Sequence, residues 1–343
     1  AYTGAAATTA MFLLGGDRYL LGGVLLILAN AAMSVSMVLY NSYLPQIAKP
    51  EERDAVSSRG WAFGYTAGAF VLVLNLVLFQ SHESFGISKD AAVRICLASA
   101  GLWWGAFAII PLRRLRDRAV VRSGADHAAA GSGWKQLVAT LKDMRRHPLT
   151  LSFLLAYLVY NDGIQTVISQ ASVYGKQELK LEDSTLITAV LLVQILAVAG
   201  AMAMGRLAVS YGAKKTILGS LVAWTVTLGA GFFLPAGAPV WFFILASMIG
   251  LVLGGSQALS RSLFSHLVPA GKEAEYFSAY EMSDRGVSWV GPLVFGLTYQ
   301  VTGSYRDAII SLVVFFALGF VLLARVPVRR AVEAAGNPVP ERI

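Results

Sequence analysis

One cysteine, Cys96, and four histidines are all the thiol and imidazole groups that the 343 residues offer. A lone thiol excludes an intrachain disulfide and any cysteine-based metal centre. His82, His127, His147 and His266 stand far apart without ligand spacing, so neither a metal site nor a cofactor is expected. Charge is scarce too. Asp, Glu, Lys and Arg make up 14% of the chain, against about a quarter in ordinary globular proteins. There is no glycine-rich phosphate cradle, no aspartate-rich run, and no serine with a histidine partner inside an apolar stretch. ATP-driven, prenyl-transferring and proteolytic chemistry are thereby disfavoured in turn, and the chain is not expected to be an enzyme.

What is abundant is apolar surface. Hydrophobic residues reach 56% and the mean hydropathy is +0.61, more than one soluble core could shelter. They fall into ten blocks, near 1–15, 19–42, 60–80, 91–112, 148–171, 184–208, 216–234, 240–264, 277–301 and 306–325. Most are close to the twenty or so residues that cross a bilayer at 1.5 Å each. Backbone groups in lipid must be satisfied within the segment, so the blocks are predicted to be helices. The expected fold class is an all-α membrane protein with about ten transmembrane helices in this chain.

The net charge of +8 fits cytoplasmic loops better than a nucleic-acid partner. With the 113–147 stretch placed in the cytoplasm, loops and ends on that side hold 21 Lys and Arg, and the opposite side holds six. The asymmetry predicts a cytoplasmic C-terminus. Within 113–147, Trp134, Leu137, Val138, Leu141 and Met144 recur at helical spacing among Lys135, Lys142, Arg145 and Arg146. That pattern suits an amphipathic helix on the inner leaflet, with a partner-binding helix as the alternative. The stretch divides the chain into residues 1–112 with four spans, the basic linker 113–147, and residues 148–343 with six spans and a short tail.

The two parts are weakly related. Leu44-Pro45-Gln46-Ile47-Ala48-Lys49-Pro50-Glu51-Glu52 and Leu267-Val268-Pro269-Ala270-Gly271-Lys272-Glu273 align at an offset of 219 residues, set by Pro50 and Pro269. The blocks at 148–171 and 184–208 are then left without counterparts. The expectation is a 6 + 6 helix repeat whose first two helices, about 70 residues, precede this chain. Such a fragment is expected not to transport by itself. A second periodicity agrees. Spans one, four, seven and ten carry no Asn, Gln or charged residue well inside them, and the other six do. Those six must turn polar groups into a shared interior, because isolated polar groups in hydrocarbon are costly.

Gly205-Arg206-Leu207-Ala208-Val209-Ser210-Tyr211-Gly212-Ala213-Lys214-Lys215 resembles the Gly-x-Leu-Ala-Asp-Arg-x-Gly-Arg-Lys loop of the major facilitator superfamily. It keeps Gly205, Gly212, Lys214 and Lys215, with Val209 in place of the acidic residue and Ala213 in place of an arginine. The stretches Tyr160-Asn161-Asp162-Gly163-Ile164-Gln165-Thr166, Tyr276-Phe277-Ser278-Ala279-Tyr280-Glu281, Gly291-Pro292-Leu293, Tyr40-Asn41-Ser42-Tyr43-Leu44-Pro45 and Ser58-Arg59-Gly60-Trp61-Ala62-Phe63-Gly64-Tyr65 are similar to the vacuolar-effluxer-like branch of that superfamily. The resemblance implies alternating access through a central cavity. Its fungal members export amino acids from the vacuole.

Asp162 is the sharpest candidate residue. It lies about 21 Å along its span at 1.5 Å per residue, where a carboxylate should be neutral or paired. Proton coupling or binding of a substrate amine is the functional reading, and an anchor hydrogen-bonded to Asn161 or Tyr160 is the structural one. Asn161, Gln165, Asn30, Asn41, Asn75, Gln194 and Gln257 are amides on the same class of helix. Each alone is more readily an interhelical hydrogen bond than a ligand contact. Glu281, Asp284 and Arg285 cluster on one span. Glu281 and Arg285, at i and i+4, are positioned for a helical ion pair that is either static or a gate. Arg285 could alternatively hold a substrate carboxylate.

Taken together, the expectation is a secondary transporter of small polar solutes in the bacterial inner membrane. It is expected to be a monomer in the lipid bilayer, with protons as coupling ion, working in the exporting direction on amino-acid-like solutes. A multidrug or sugar transporter of the same superfamily, or a non-transporting scaffold or sensor, remain as alternatives.

Overall fold

A computed structural model describes residues 1–115, 138, 140, 142–285 and 288–343, the side chain of Arg285 excepted. Trp134, Lys135, Leu137 and Leu141 of the expected amphipathic helix therefore lie outside the described residues, as does any Glu281–Arg285 side-chain pair. Among the described residues the regular structure is helical, with no strand. Eight helices among the described residues are long and apolar enough to cross a membrane. By its contacts the chain forms two compact units, Ala1–Tyr43 with Ala67–Arg122, and Leu44–Thr66 with Ser123–Ile343.

The first unit holds α1 (Tyr2–Ala10), α2 (Tyr19–Ser42), the later part of α3 (Arg53–Gln80) and α4 (Lys89–Arg114). α1 packs against α2 and α4. Its buried face is Gly4, Ala5 and Ala7, small residues that let helix backbones approach closely without a hydrophobic driving force. The Thr8 and Thr9 hydroxyls turn back onto their own helix, donating to the Gly4 and Ala5 carbonyls at 2.9 and 2.8 Å. The Ser88 hydroxyl caps α4 by accepting the Ala91 N–H at 3.2 Å. Leu20, Ile27, Leu74 and Leu102 are exposed, as membrane-immersed helices require.

In the second unit, α5 (Pro148–Gln177), α6 (Asp183–Tyr211), α7 (Ala213–Phe232) and α8 (Pro239–His266) are followed by α9 (Glu273–Arg285) and α10 (Val290–Thr302). α11 (Tyr305–Ser311), α12 (Val313–Arg325) and α13 (Val328–Ala334) complete it. Proline opens α5 and α8 at their first turns, where its missing N–H costs nothing. α6 and α8 are in close backbone contact through Ala197, Gly200 and Ala201 on one helix and Gly250 and Gly254 on the other. Around α5 the filling is aromatic: Phe153, Tyr160, Trp224, Phe264, Phe277 and Phe316 are all fully buried. Gly212 ends α6 with φ +89°, a conformation open to glycine at little cost. The Lys214 ammonium then closes the end of α12, donating to the Ala324 and Val326 carbonyls at 2.9 and 2.8 Å.

Three blocks differ from their sequence outlines. The 1–15 block is only α1 and a single 3-10 turn, Met11–Leu13. The 306–325 block changes register at Leu312, between α11 and α12. The 277–301 block is described as α9 up to Arg285 and α10 from Val290, with Ser288 and Trp289 in a turn and residues 286–287 outside the described residues. Averaged hydropathy passes over such a turn because its flanks are both apolar. Span seven, apolar by the count of amides and charges, has a packed face containing Ser220 and Trp224. The Trp224 indole donates to the Ser256 hydroxyl at 3.2 Å, a class of contact that counting only amides and charges misses.

Described residues near the end of the basic linker are packed inward. Thr140 and Met144 are buried, and Asp143 is paired with Lys272 at 2.7 Å and accepts the Tyr276 hydroxyl at 3.0 Å. The Lys272 ammonium, then the Tyr276 hydroxyl, hold the Asp143 carboxyl below its ordinary value against the opposing effect of desolvation. A depressed carboxylate stabilises the fold above its unfolded pKa and loses that contribution as pH falls through the folded one. Asp143→Asn is therefore expected to lower the melting temperature slightly at pH 7, by no more than about 1 kcal/mol for so exposed a pair. The gap should close below about pH 4. An equal gap at pH 7 and pH 3 would show that the charge is not what matters there.

Candidate functional site

The last turn of α9 and the first turn of α10 are both tied to the middle of α5. In α9 stands Asp284. Its Oδ1 accepts from the Asn161 amide at 2.6 Å, the Tyr157 hydroxyl at 3.1 Å and the Gln165 amide at 3.4 Å. Residues 157, 161 and 165 are spaced four apart, so they form one stripe along α5. In the first turn of α10 the Gly291 N–H donates to Asp162 Oδ2 at 2.7 Å. Asp162 thus caps α10 from another helix. The partial positive charge of a helix N-terminus favours a carboxylate there by roughly 0.3–2 kcal/mol.

The approach of α5 to α10 demands small residues. A side chain on Gly291 would strike Thr166, and Thr166 is itself fixed by donating to the Asp162 carbonyl at 2.7 Å. Gly163 lies against Phe315 and Phe316, so it serves packing, and α5 continues unbroken through it. Asn161 and Asp162 are 1% and 2% exposed. Even so, Asn161 Oδ1 and Asp162 Oδ1 have no hydrogen-bond partner. Buried acceptors without donors are costly, at about 1–3 kcal/mol each, and such costs are concentrated where a protein works.

Of the residues singled out from the sequence, the structure brings Asn161, Asp162, Gln165 and Asp284 together here. Glu281, one turn before Asp284, is buried as well. The others are placed elsewhere. Asn30 is exposed and donates to the Leu26 carbonyl of its own helix at 2.9 Å. Asn41 is buried at the end of α2, and Asn75 accepts the Ser99 hydroxyl at 2.9 Å; both belong to the first unit. Gln257 accepts the Tyr65 hydroxyl at 2.5 Å. Gln194 lines a largely apolar cavity of about 200 Å³ between α5, α6 and α8. Gly205 faces Ser58 too closely for any side chain, and Lys215 is exposed.

Gly291 and Thr166, which the sequence offered only within family-like stretches, complete the site together with Tyr157, and three-dimensional proximity gives them their place in it. Arg53 and Arg261, counted beforehand only as basic loop charges, are buried and clasp the start of α3 to the end of α8. Arg53 Nη1 donates to the Ser265 carbonyl at 3.0 Å. Arg261 Nε donates to the Ser57 hydroxyl at 3.0 Å and lies over the Trp61 ring, 5.8 Å from its centre. Among the described residues no group of His, Cys, Asp and Glu is arranged to hold a metal ion.

Comparison with known proteins places this architecture. Residues 1–336 match the family described as "Vacuole effluxer Atg22 like". The chain is 29% identical to the "Uncharacterized MFS-type transporter YxiO" of Bacillus subtilis, over 94% of this chain and 75% of that protein. It is 28% identical to the "Autophagy-related protein 22" of Eremothecium gossypii, over 98% of this chain and 70% of that one. Among solved structures, the fold is similar to the fucose:proton symporter FucP of E. coli, with TM-score 0.68 and 14% identity over 94% of this chain and 80% of that one. A structure of FucP in the outward conformation gives TM-score 0.70 at the same identity.

Proposed function

The chain belongs to the vacuole effluxer Atg22-like family, and we propose that this multi-pass, major-facilitator-type membrane transporter is a proton-coupled exporter of small amino-acid-like solutes. The observation that carries the reading is the Asp162 carboxylate, buried midway along α5 with one oxygen on the Gly291 N–H and the other without a donor. A carboxylate so placed is a functional group by default in a membrane helix. Protonation would weaken its hold on α10, and Asp284 would keep α9 fixed to α5. The hold of the first turn of α10 on α5 then depends on the charge of one residue. Efflux draws on the family's description as vacuole effluxers, and the amino-acid class on the resemblance to its fungal members alone. Proton coupling is supported by the carboxylate, and the symporter of similar fold is described as proton-linked.

In this reading the protein works by alternating access as a monomer whose C-terminus is cytoplasmic. The basic residues support that orientation, with 21 on one side and six on the other.

The test is solute flux in proteoliposomes with and without a pH gradient, for the chain supplied with the two further helices expected before it, as wild type and as Asp162→Asn. Asparagine can still accept the Gly291 N–H, so the fold should survive. Gradient-driven flux is expected to fall about a hundredfold, the scale of a lost proton-transfer group, with solute exchange at zero gradient largely retained. Undiminished gradient-driven flux in the variant would remove Asp162 from the coupling role.

A further inference from the structure

Two helix ends on one face of the second unit are closed by side chains from a single short segment. Beyond α13, the stretch Asn337-Pro338-Val339-Pro340-Glu341-Arg342-Ile343 is not helical. Asn337 Nδ2 donates to the His266 and Val268 carbonyls at 2.9 and 2.7 Å, where α8 runs out. Arg342 Nη1 donates to the Val209 and Ser210 carbonyls in the last turn of α6, at 3.4 and 3.2 Å. Both sets of acceptors are carbonyls that a helix end leaves without an intrahelical partner. A cation at such an end also meets the favourable pole of the helix dipole. From residue 337 to residue 342 an extended chain reaches roughly 17 Å, and Pro338 and Pro340 keep the stretch from coiling into a helix.

The same segment lies over the start of α3. A cavity of about 260 Å³ is walled by Pro340 and Glu341 of the segment, Asp54 of α3, Ala208 of α6 and His266 at the end of α8. Gly212 admits the segment to the turn between α6 and α7, since a Cβ there would fall 2.9 Å from the Ile343 carbonyl carbon. Further contacts hold α3 without the segment: Arg53 Nη1 on the Ser265 carbonyl at 3.0 Å, and Ser58 packed on Gly205. Within the segment Pro340 is buried, and Glu341 and Arg342 are exposed. Hydrogen bonds reached by solvent are exchanged for bonds to water at small net cost. The segment is thus attached at both ends of its reach and is releasable.

We propose that residues 337–343 are a latch: seated as here, they hold the start of α3 to the ends of α6 and α8 and keep this face of the transporter closed. Asn337 and Arg342 are its two attachment points. α3 starts in this unit and runs on into the first, so its first turns are what an opening of this face must part from α6 and α8. The segment spans that seam from the solvent side, and its release lowers the barrier to opening. The latch takes its purpose from the alternating access proposed above.

Thiol accessibility tests the latch apart from transport. In the chain supplied with the two further helices expected before it, purified in detergent, Cys96→Ala removes the native thiol and one cysteine is introduced at a time. Ala208→Cys, in the cavity wall, reports uncovering. Ser58→Cys reports the parting of α3 from α6, because Ser58 is 2% exposed, lies outside that cavity wall and has a hydroxyl with no hydrogen-bond partner to lose. Ala308→Cys, fully buried near the opposite ends of α5 and α7, reports general loosening. Reaction with a sulfonated maleimide is followed with the segment intact, with Asn337→Ala and Arg342→Ala together, and in a chain ending at Gly336. Both changes should speed alkylation at residues 208 and 58 about tenfold, the scale of a few lost hydrogen bonds, and leave residue 308 unchanged. Acceleration at residue 208 alone would make the segment a mere cover and overturn the latch. Unchanged rates at 208 and 58, or equal acceleration at all three, would overturn it as well. Should the shortened chain fail to fold, the paired point variants decide. Acceleration at 208 and 58 in a protein without gradient-driven flux would leave the latch standing and remove the coupling reading instead.

Discussion

Gly254→Val is expected to prevent stable folding of the second unit, with the largest loss of any single substitution considered. A Cβ at residue 254 would run into the carbonyl oxygen of Ala197, and would lie 3.0 Å from its carbon and 3.1 Å from the Ala201 nitrogen. The obstacle is backbone, which moves only if all of α6 moves. Gly250, one turn earlier, is as confined, its Cβ falling 2.7 Å from the Val193 carbonyl oxygen. In a bilayer no hydrophobic effect draws helices together, so close packing of small residues supplies much of the attraction. Forcing the pair apart adds strain and removes contacts at once, for about 3 kcal/mol or more. That is a large share of a stability of roughly 5–15 kcal/mol. The measurement is the melting temperature and monodispersity of the variant in detergent beside Gly229→Ala. Gly229 has open space around its Cβ position, and alanine there should be neutral or slightly stabilising through helix propensity. Equal melting temperatures for the two variants would show that the α6–α8 approach is not a stability determinant.

The span pattern was readable from the sequence because it depends on local composition. Twenty apolar residues make a span whatever they later touch, and eight of the ten blocks appear as long apolar helices. Asp162, Asn161, Gln165 and Asp284 could be picked out singly, since each is a polar residue inside an apolar run. Their meeting at one place could not be read, because Asp162 and Gly291 are 129 positions apart in sequence. Nor could the start of α10 at Val290. Serine and tryptophan at 288–289 fit a membrane helix as readily as a turn, and what marks the turn is the carboxylate that caps α10 from α5. Asn30 shows the converse. It has the composition signal of a site residue, but its amide is spent on its own helix at Leu26. Arg53 and Arg261 were hidden by their position near loop boundaries, where basic residues usually report topology.

The second large effect is expected at Gly291, where one methyl group should uncouple the two halves of the site. In Gly291→Ala the new carbon meets the Thr166 hydroxyl, with the Thr166 Cβ at 3.0 Å and the Asp162 carbonyl at 3.1 Å. Thr166 cannot swing away cheaply, being fully buried and bonded to the Asp162 carbonyl. The start of α10 must back off from α5, and the 2.7 Å bond between the Gly291 N–H and Asp162 Oδ2 lengthens or breaks. Asp162 then loses its one hydrogen-bond donor in a buried setting, a cost of about 1–3 kcal/mol beyond the overpacking. Gradient-driven flux is expected to fall about as far as in Asp162→Asn, roughly a hundredfold, with the carboxylate still in the chain. Thr166→Ala removes the obstructing hydroxyl, so the double variant Gly291→Ala with Thr166→Ala should regain flux that neither the clash nor the lost cap alone would allow. A double-mutant cycle on flux and on melting temperature measures that coupling. If the two substitutions simply add, the contact between α5 and α10 is packing only, and the charge on Asp162 acts without the helix it caps.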